Sequence, residues 1–500
     1  MHAERSWQAR PVKRVFIPKS NAKLRPLGIP VIFDRVLQAR TKNALEPEWE
    51  ARFEPRSYGF RPGRGCHDAV EAIWNTSSGK TAHRVWILDA DLAAAFDRID
   101  HERLLGMLGS FPAREMIRGW LKAGVIEAGK GFTPTEEGTP QGGVISPLLL
   151  NVALHGLEEA AGIRYRPTGV HAGQVEPGAP ALVRYADDYI AACHSQEQAE
   201  QVKAQLAEWL EPRGLAFNQD KTRIVNLCEG FDFLGFNLRR YPNGKLLIKP
   251  SKAAMSRIRR RLREVFRAMR GATTIGLIRA LNPIIRGWAA YYRVGVSSRA
   301  FARLDDYVWR LAYKWAKHRH PRKPKKWIIA RYFGAFHPTR KDRWVFGDRD
   351  SGAYLRKFSW TRIVRHQAVK AGASPDDPAL SAYWASRRRK SQTPLDQRGQ
   401  HRQLLYEQHG RCPACGDYLL HTDHEPASPE EWEQWFRATR LAITKAVIVV
   451  ASGDGRPDKN RLRLLHHRCQ QRSTPDGPRG LLEPCAGKAR PHGSEGTGAQ

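Results

Sequence analysis

Two short apolar runs, Ala181-Leu182-Val183 and Tyr189-Ile190-Ala191-Ala192, flank a tight connection that carries two adjacent carboxylates, Asp187 and Asp188. Apolar runs of this length on either side of a turn read as a buried strand pair. Burying the flanks forces both acids to one end of the sheet. Like charges held that close are costly unless a cation offsets them, so the turn is a candidate divalent-metal site. The tetrad Tyr185-Ala186-Asp187-Asp188 is short enough to arise by chance as an acidic surface turn, and its company decides its weight. Upstream, Val85-Trp86-Ile87-Leu88-Asp89-Ala90-Asp91-Leu92 is an apolar strand ending in carboxylates. Between the two lies Gly138-Thr139-Pro140-Gln141-Gly142-Gly143, a glycine-permitted turn through which backbone can approach a ligand.

Charge narrows the partners. Lys and Arg total 83 against 50 acidic residues, a formal charge of +33 over 500 residues. So basic a chain is drawn to polyanions, of which nucleic acid is the first to consider. The length accommodates two to four domains. No apolar span approaches the ~20 residues of a membrane helix, and the amino terminus has no signal-peptide core. The expectation is a cytoplasmic, nucleoid-associated protein with no membrane partner. Seven cysteines are too few for a disulfide scaffold. Three of the late ones, Cys412, Cys415 and Cys469, point to a metal site.

Residues from about 10 to 245 alternate apolar strands with helices and close on Gly230 to Leu238, then a hairpin signalled by Asn243-Gly244. Helices follow. Met255, Ile258, Leu262, Val265, Phe266 and Met269 recur at steps of three and four, while Arg257, Arg259, Arg260, Arg261, Arg263 and Arg267 cover the rest of the surface. A second helix is expected to begin after Pro283, and a third over Leu304 to Lys317. From 318 a basic, proline-broken run ends the helical region. Beyond it Trp327, Tyr332, Phe333, Phe336, Trp344 and Trp360 interleave with Arg331, Arg340, Lys341 and Arg343, a pattern suited either to a solvated linker or to stacking beside phosphate contacts. Residues 385–401 read as a linker.

Together the strand ending at Asp91, the Pro140-Gln141-Gly142-Gly143 turn and the Tyr-Ala-Asp-Asp hairpin resemble the palm of a reverse transcriptase. With Lys23 to Pro30, Ser57 to His67 and Gly287-Trp288-Ala289-Ala290-Tyr291-Tyr292, the chain resembles the proteins encoded by bacterial group II introns over roughly residues 10–485. The resemblance implies an α+β architecture: right-hand fingers and palm over 1–245, an α-helical thumb or maturase domain over 246–320, a basic DNA-binding region and linker over 321–400, a small zinc-stapled ββα-type HNH domain over 401–487, and a disordered tail over 488–500. It implies Mg²⁺ held by Asp91 and Asp187, with Asp188 expected to point away along the extended chain and to ligate only weakly. Asp89, on the same side of its strand, competes with Asp91, which alone fits the family pattern Asp91-x-x-x-x-Phe96-Asp97. Phe96 would then exclude a 2′-hydroxyl and select deoxynucleoside triphosphates. Gln141 would line the nucleotide pocket, Arg25 would meet the triphosphate, and Lys221 would sit near the pyrophosphate. Lys23, Arg61 and Arg64 would supply further phosphate contacts, and Arg259, Arg260 and Arg263 would face RNA. Where the family has several dozen residues ahead of the Pro11 to Pro18 block, ten stand here, so the start is expected to be truncated or an RNA-clamping element lost.

Cys412-x-x-Cys415 and His466-x-x-Cys469 offer a four-donor set suited to zinc. Between them Asp423-His424-Glu425-Pro426 resembles the first strand of an HNH nuclease, implying His424 as general base and Asp423 as a Mg²⁺ ligand. Arg461 and Gln470 stand where that family has an asparagine nine residues before its final histidine and a donor just after the cysteine. The function so implied is an RNA-directed DNA polymerase and intron maturase, with group II intron RNA and target DNA as partners, able to support mobility by target-primed reverse transcription, with an endonuclease arm. A splicing-only RNA-binding maturase and a reverse transcriptase of another bacterial retroelement are the alternatives.

Overall fold

The computed structural model describes residues 7–18, 24–79, 82–168, 170, 173–337, 340–392, 399–420, 429–444, 446–452 and 462–472. The chain divides into two compact units, one ending at Leu380 and one beginning at Ser381.

The strands of the first unit are β1 (Val12–Pro18), β2 (Leu24–Ile29), β3 (Trp86–Asp91), β4 (Val125–Glu127), β5 (Gly131–Thr133), β6 (Ala181–Tyr185), β7 (Asp188–Cys193), β8 (Arg223–Asn226), β9 (Phe231–Phe233), β10 (Phe236–Arg240) and β11 (Leu246–Pro250). Its centre is the antiparallel sheet β6-β7-β3-β8. Alternation along these strands divides the core in two. Ile87, Val183, Ile190 and Ala192 face one side, among Val70 and Ile73 of the helix Cys66–Ser77. Leu88, Ala90, Leu182, Tyr189 and Ala191 face the other, with Leu206 and Leu210 of the helix Gln196–Leu210. Both faces being buried explains why β6 and β7 read as continuous apolar runs. Asp91 and Asp188 sit at the end where that apolar alternation stops.

A second sheet, β2-β1-β4-β5, meets the loop Gly138–Gly143 at Gly28 of β2, whose N–H donates to the Gln141 carbonyl. The meander β9-β10-β11 turns at Gly244, whose φ of +75° is the left-handed conformation that the Asn-Gly pair predicted. Three long helices follow, Lys252–Ala268, Thr274–Tyr292 and Ser298–Arg319. Ile258, Leu262 and Phe266 of the first bury against Leu277, Leu281 and Ile285 of the second and Leu304, Val308 and Trp315 of the third. Each such side chain contributes roughly 1.5–3 kcal/mol. The arginines stay outside, as the periodicity required.

The second helix departs from expectation. It begins at Thr274, where the Thr273 hydroxyl accepts a bond from the Gly276 N–H, and it runs through Pro283. Proline removes one intrahelical bond, but Asn282 beside it ties the turn outward: its amide donates to the Tyr354 carbonyl (3.0 Å) and its oxygen accepts from the Arg356 N–H (2.8 Å). Tyr332 and Phe333 are buried with Phe346, where β12 (Phe333–Gly334) pairs β13 (Val345–Phe346), so they are core residues; Trp344 remains exposed.

The second unit contains the helices Ser381–Gln392, Gly399–Glu407 and Pro429–Thr444, the antiparallel pair β14 (Ile448–Ser452) and β15 (Leu462–His466), and the helix His467–Arg472. Much of the expected linker at 385–401 is thus helical. Leu405, Leu419, Ile448, Leu464 and Leu465 form a small core with Cys412 and Cys469. So little apolar area rarely holds a domain unaided. No helix among the described residues is long and apolar enough to cross a membrane.

Candidate active site and metal cluster

Asp91 and Asp188 are direct cross-strand partners in the β3–β7 ladder. Partners in register face the same side of a sheet. Asp188 therefore does not point away as expected: its carboxyl hydrogen-bonds that of Asp91, and burial, then the neighbouring Asp187 charge, push it up to about 7. Asp187 occupies the turn itself, after Ala186 at φ +59°. Burial raises its pKa above the usual carboxylate range and Asp91 adds to that, while Arg25 and Lys221 pull it back. Lys221 Nζ sits 2.7 Å from Asp91 Oδ2, and this bond raises the Lys221 pKa. Asp89 is engaged instead by Arg223, at 3.0 and 3.1 Å. Asp91, Asp187 and Asp188 thus share one end of the sheet and feel one another's charge, and carboxylate oxygens are the donor type that suits Mg²⁺.

Backbone bonds tie the surrounding residues together. Ala94, at φ +48°, turns β3 into the short helix Ala95–Arg98 that carries Phe96. Thr139 N–H donates to the Phe96 carbonyl (2.6 Å), and the Gln141 carbonyl accepts from Gly28 N–H (2.9 Å), three residues from Arg25. The Gly138–Gly143 loop therefore spans from the Phe96 turn to the Arg25 strand. A Cβ on Gly138, at φ +81°, would meet the Asp97 backbone at 2.6 Å. Phe96 is half-buried, edge-on to Phe60 (6.2 Å), and lines a cavity of about 320 Å³ with Arg14, Gly28 and Pro140.

Two expected phosphate contacts are corrected. Arg61 is buried: it pairs with Glu50 at 2.8–3.1 Å and donates to the Glu54 and Ser57 carbonyls. None of its nitrogens is left for a ligand, and breaking such a pair costs ~3–5 kcal/mol. Arg64 spends its terminal nitrogens on the carbonyls of Pro55 and Ala373, and burial lowers its pKa to about 10. Lys23 lies outside the described residues. Arg259, Arg260 and Arg263 are exposed on the first long helix.

Sequence reasoning missed what holds the acidic turn. Arg184, fully buried, donates to Asn151 Oδ1 (2.9 Å) and to the Ala186 carbonyl (3.4 Å). Asn151 in turn donates to the Gly59 carbonyl (2.9 Å), and a Cβ on Gly59 would lie 2.2 Å from Ala186 N. A buried arginine inside an otherwise apolar strand was the available signal, since such a charge must find partners. Asn151, and Gly59 behind it, come from segments far away in sequence and could not be named.

In the second unit the donor atoms of Cys412, Cys415, His466 and Cys469 all lie within 4.8 Å of one another. Around a tetrahedral zinc with ~2.3 Å Zn–S bonds, sulfurs sit roughly 3.8 Å apart. The knuckle Cys412–Gly416 is closed by Gly416 N–H donating to the Cys412 carbonyl (2.8 Å). His466 Nδ1 faces Cys415 (3.4 Å) and Cys469 (3.8 Å), while its Nε2 meets the Tyr418 carbonyl (3.1 Å), which fixes the ring with Nδ1 inward. Burial raises the Cys412 pKa, but hydrogen bonds from His466 and from the backbone at Ala414, Cys415 and His466 together outweigh it and bring the thiol to about 6. Asp423, His424 and Arg461 lie outside the described residues.

Residues 17–238 match the family model for reverse transcriptase (RNA-dependent DNA polymerase), and residues 255–333 that for the group II intron maturase-specific domain. Protein YkfC of Escherichia coli is 38% identical over 261 residues, covering 47% of this chain and 68% of that one. The chain belongs to the reverse transcriptase and group II intron maturase family. The group II intron-encoded protein LtrA of Lactococcus lactis is 29% identical over 297 residues, so the match spans 48% of this chain and about half (49%) of LtrA. A solved structure of apo telomerase from Candida tropicalis aligns over 64% of this chain and 59% of its own at a TM-score of 0.38 and 13% identity, too slight a likeness to argue from. The first unit thus carries an RNA-directed DNA polymerase domain followed by a maturase domain.

Proposed function

We propose that the protein binds a group II intron RNA, assists its splicing, and copies it into DNA from a nicked target. The observation carrying this reading is the convergence of Asp91, Asp187 and Asp188 beside Lys221 in a chain that also has the maturase-specific domain. Residues 1–245 serve as fingers and palm and 246–320 as thumb. Two Mg²⁺ ions held by the three carboxylates would activate the primer 3′-hydroxyl and offset triphosphate charge. Arg25 grips the triphosphate, Gln141 lines the nucleotide pocket, and the Phe96 ring excludes a 2′-hydroxyl, so deoxynucleoside triphosphates are the substrates. Lys221 leaves Asp91 to neutralise the departing pyrophosphate.

Arg259, Arg260 and Arg263 contact RNA phosphates. Replacing all three with glutamine should weaken intron RNA binding and lower the salt slope of log affinity by about one per lost contact. Protein-dependent splicing and filter binding at two salt concentrations measure this. Equal affinity and slope in parent and triple variant would place the RNA surface elsewhere.

The second unit extends the reading to DNA. The Cys412, Cys415, His466 and Cys469 cluster holds zinc, and the strand pair and helix around it support an HNH-type assignment in which Asp423 holds Mg²⁺ and His424 activates water. With Arg461 and Gln470 in the family's polar positions, nicking of target DNA should be weak. It should vanish in His424→Ala; vigorous nicking that survives this change would remove His424 from the reaction.

A further inference from the structure

Between the first and third long helices lies a recess of about 570 Å³, separate from the acidic turn and the cysteine cluster. Its lining includes Phe266 and Trp315, both nearly inaccessible, and the half-buried Tyr307 and Leu311. Its charged members are Arg263, Arg267, Arg270 and Lys314, all exposed, with His318 beside them. No carboxylate lines it, and among the described residues none of these four cations has an acidic partner within 4 Å.

The aromatic walls are fixed in place. Trp315 donates its indole N–H to the Met269 carbonyl (2.8 Å). Tyr307 Oη accepts from Arg263 Nε (3.2 Å) and donates to the Arg259 carbonyl (3.3 Å). A ligand would therefore meet preset surfaces and lose little freedom to side-chain ordering. The volume falls within the ~300–1,000 Å³ range of small-ligand sites and exceeds what a lone phosphate needs.

Cations around aromatic walls are the chemistry of nucleotide binding, with stacking for the base and charge for the flanking phosphates. A continuous duplex gains little from a recess, because its bases are stacked inside and its phosphates run along a convex surface. An unstacked nucleotide can enter. Resting on the reading that this helical region grips intron RNA, we infer that the recess captures one extruded nucleotide of a structured RNA. The base lies against Tyr307 and Leu311, and its flanking phosphates lie on Arg267, Arg270 and Lys314.

The test compares two RNA probes on the full-length protein: a hairpin with a single bulged nucleotide, and the same hairpin without the bulge. Binding elsewhere, including in the polymerase cleft, affects both probes alike, so the affinity ratio isolates the recess. The parent should prefer the bulged hairpin by at least about fivefold, as stacking of one base on aromatic side chains supports. Leu311→Trp, which fills the recess without changing charge, and Tyr307→Ala should each bring the ratio close to one at an unchanged melting temperature. Should one variant misfold, the other still decides the matter.

Equal parental affinity for the two hairpins, or a preference surviving in the folded variants, would overturn the inference. So would displacement of the bulged hairpin by oligoglutamate as readily as by unlabelled RNA, which would assign the recess to an acidic peptide. Failure of the maturase reading shows differently, as absence of protein-dependent splicing by the parent.

Discussion

Asp187→Ala should reduce Mg²⁺-dependent extension of a DNA primer on an RNA template by a hundredfold to a thousandfold or more. The geometry explains the size of the effect. Asp187 stands at the turn beside the Asp91–Asp188 cross-strand pair, where the three carboxylates act on one another and Lys221 and Arg25 offset part of their charge. Losing one metal-holding charge removes stabilisation of charge developing in the transition state, worth ~3–4 kcal/mol by analogy with other electrostatic contacts. The fold should tolerate the change, because Arg184, Asn151 and Gly59 grip the turn through backbone atoms and none of them binds the Asp187 side chain. Primer extension measured against Mg²⁺ concentration, alongside thermal melting, tests this. Residual extension within about tenfold of the parent would exclude Asp187 as a metal ligand.

Cys412→Ser should release zinc and unfold the second unit while the first keeps its melting transition. The apolar core there is small, and two of its buried members, Cys412 and Cys469, belong to the donor cluster. A structural zinc site binds its ion with ~10–16 kcal/mol of apparent free energy, well above what so few buried side chains supply. Without the ion, His466 and three cysteines would be held together with nothing to bind. Elemental analysis of the full chain should give one zinc per molecule in the parent and none in the variant, and a chelator should reproduce the loss of the transition. Zinc near zero in the parent, or retained in Cys412→Ser, would remove the site.

The central sheet was legible because its constraint is local. Period-two alternation with both faces buried produces the continuous apolar runs around Asp187 and Asp188, and nothing distant is needed to read them. The first long helix was legible for the same reason, its arginines and apolar residues sorting cleanly by period. The cluster of Cys412, Cys415, His466 and Cys469 follows from two close-spaced pairs. What failed depended on partners far along the chain. Arg61 looked like a phosphate contact until Glu50 and two carbonyls claimed it, and Arg64 was claimed partly by Ala373, more than 300 residues away. Asp188 was misjudged because alternation was counted along one strand, whereas its neighbour is set by pairing with β3. The second helix passes Pro283, and Asn282 beside it bonds Tyr354 and Arg356, again a distant segment. Arg184 was passed over since it sits inside the motif that drew attention to the acids, and its role shows only once Asn151 and Gly59 are beside it.

One chain with two separable activities, polymerisation at the three carboxylates and splicing assistance through the basic helical region, should lose one without the other. The most direct measurement assays both on a single preparation of Asp187→Ala, supplied with the intron RNA, a DNA primer and deoxynucleoside triphosphates. Protein-dependent splicing should stay within about twofold of the parent, with no detectable complementary DNA. Splicing lost together with DNA synthesis, in a variant whose melting temperature is unchanged, would contradict that separation.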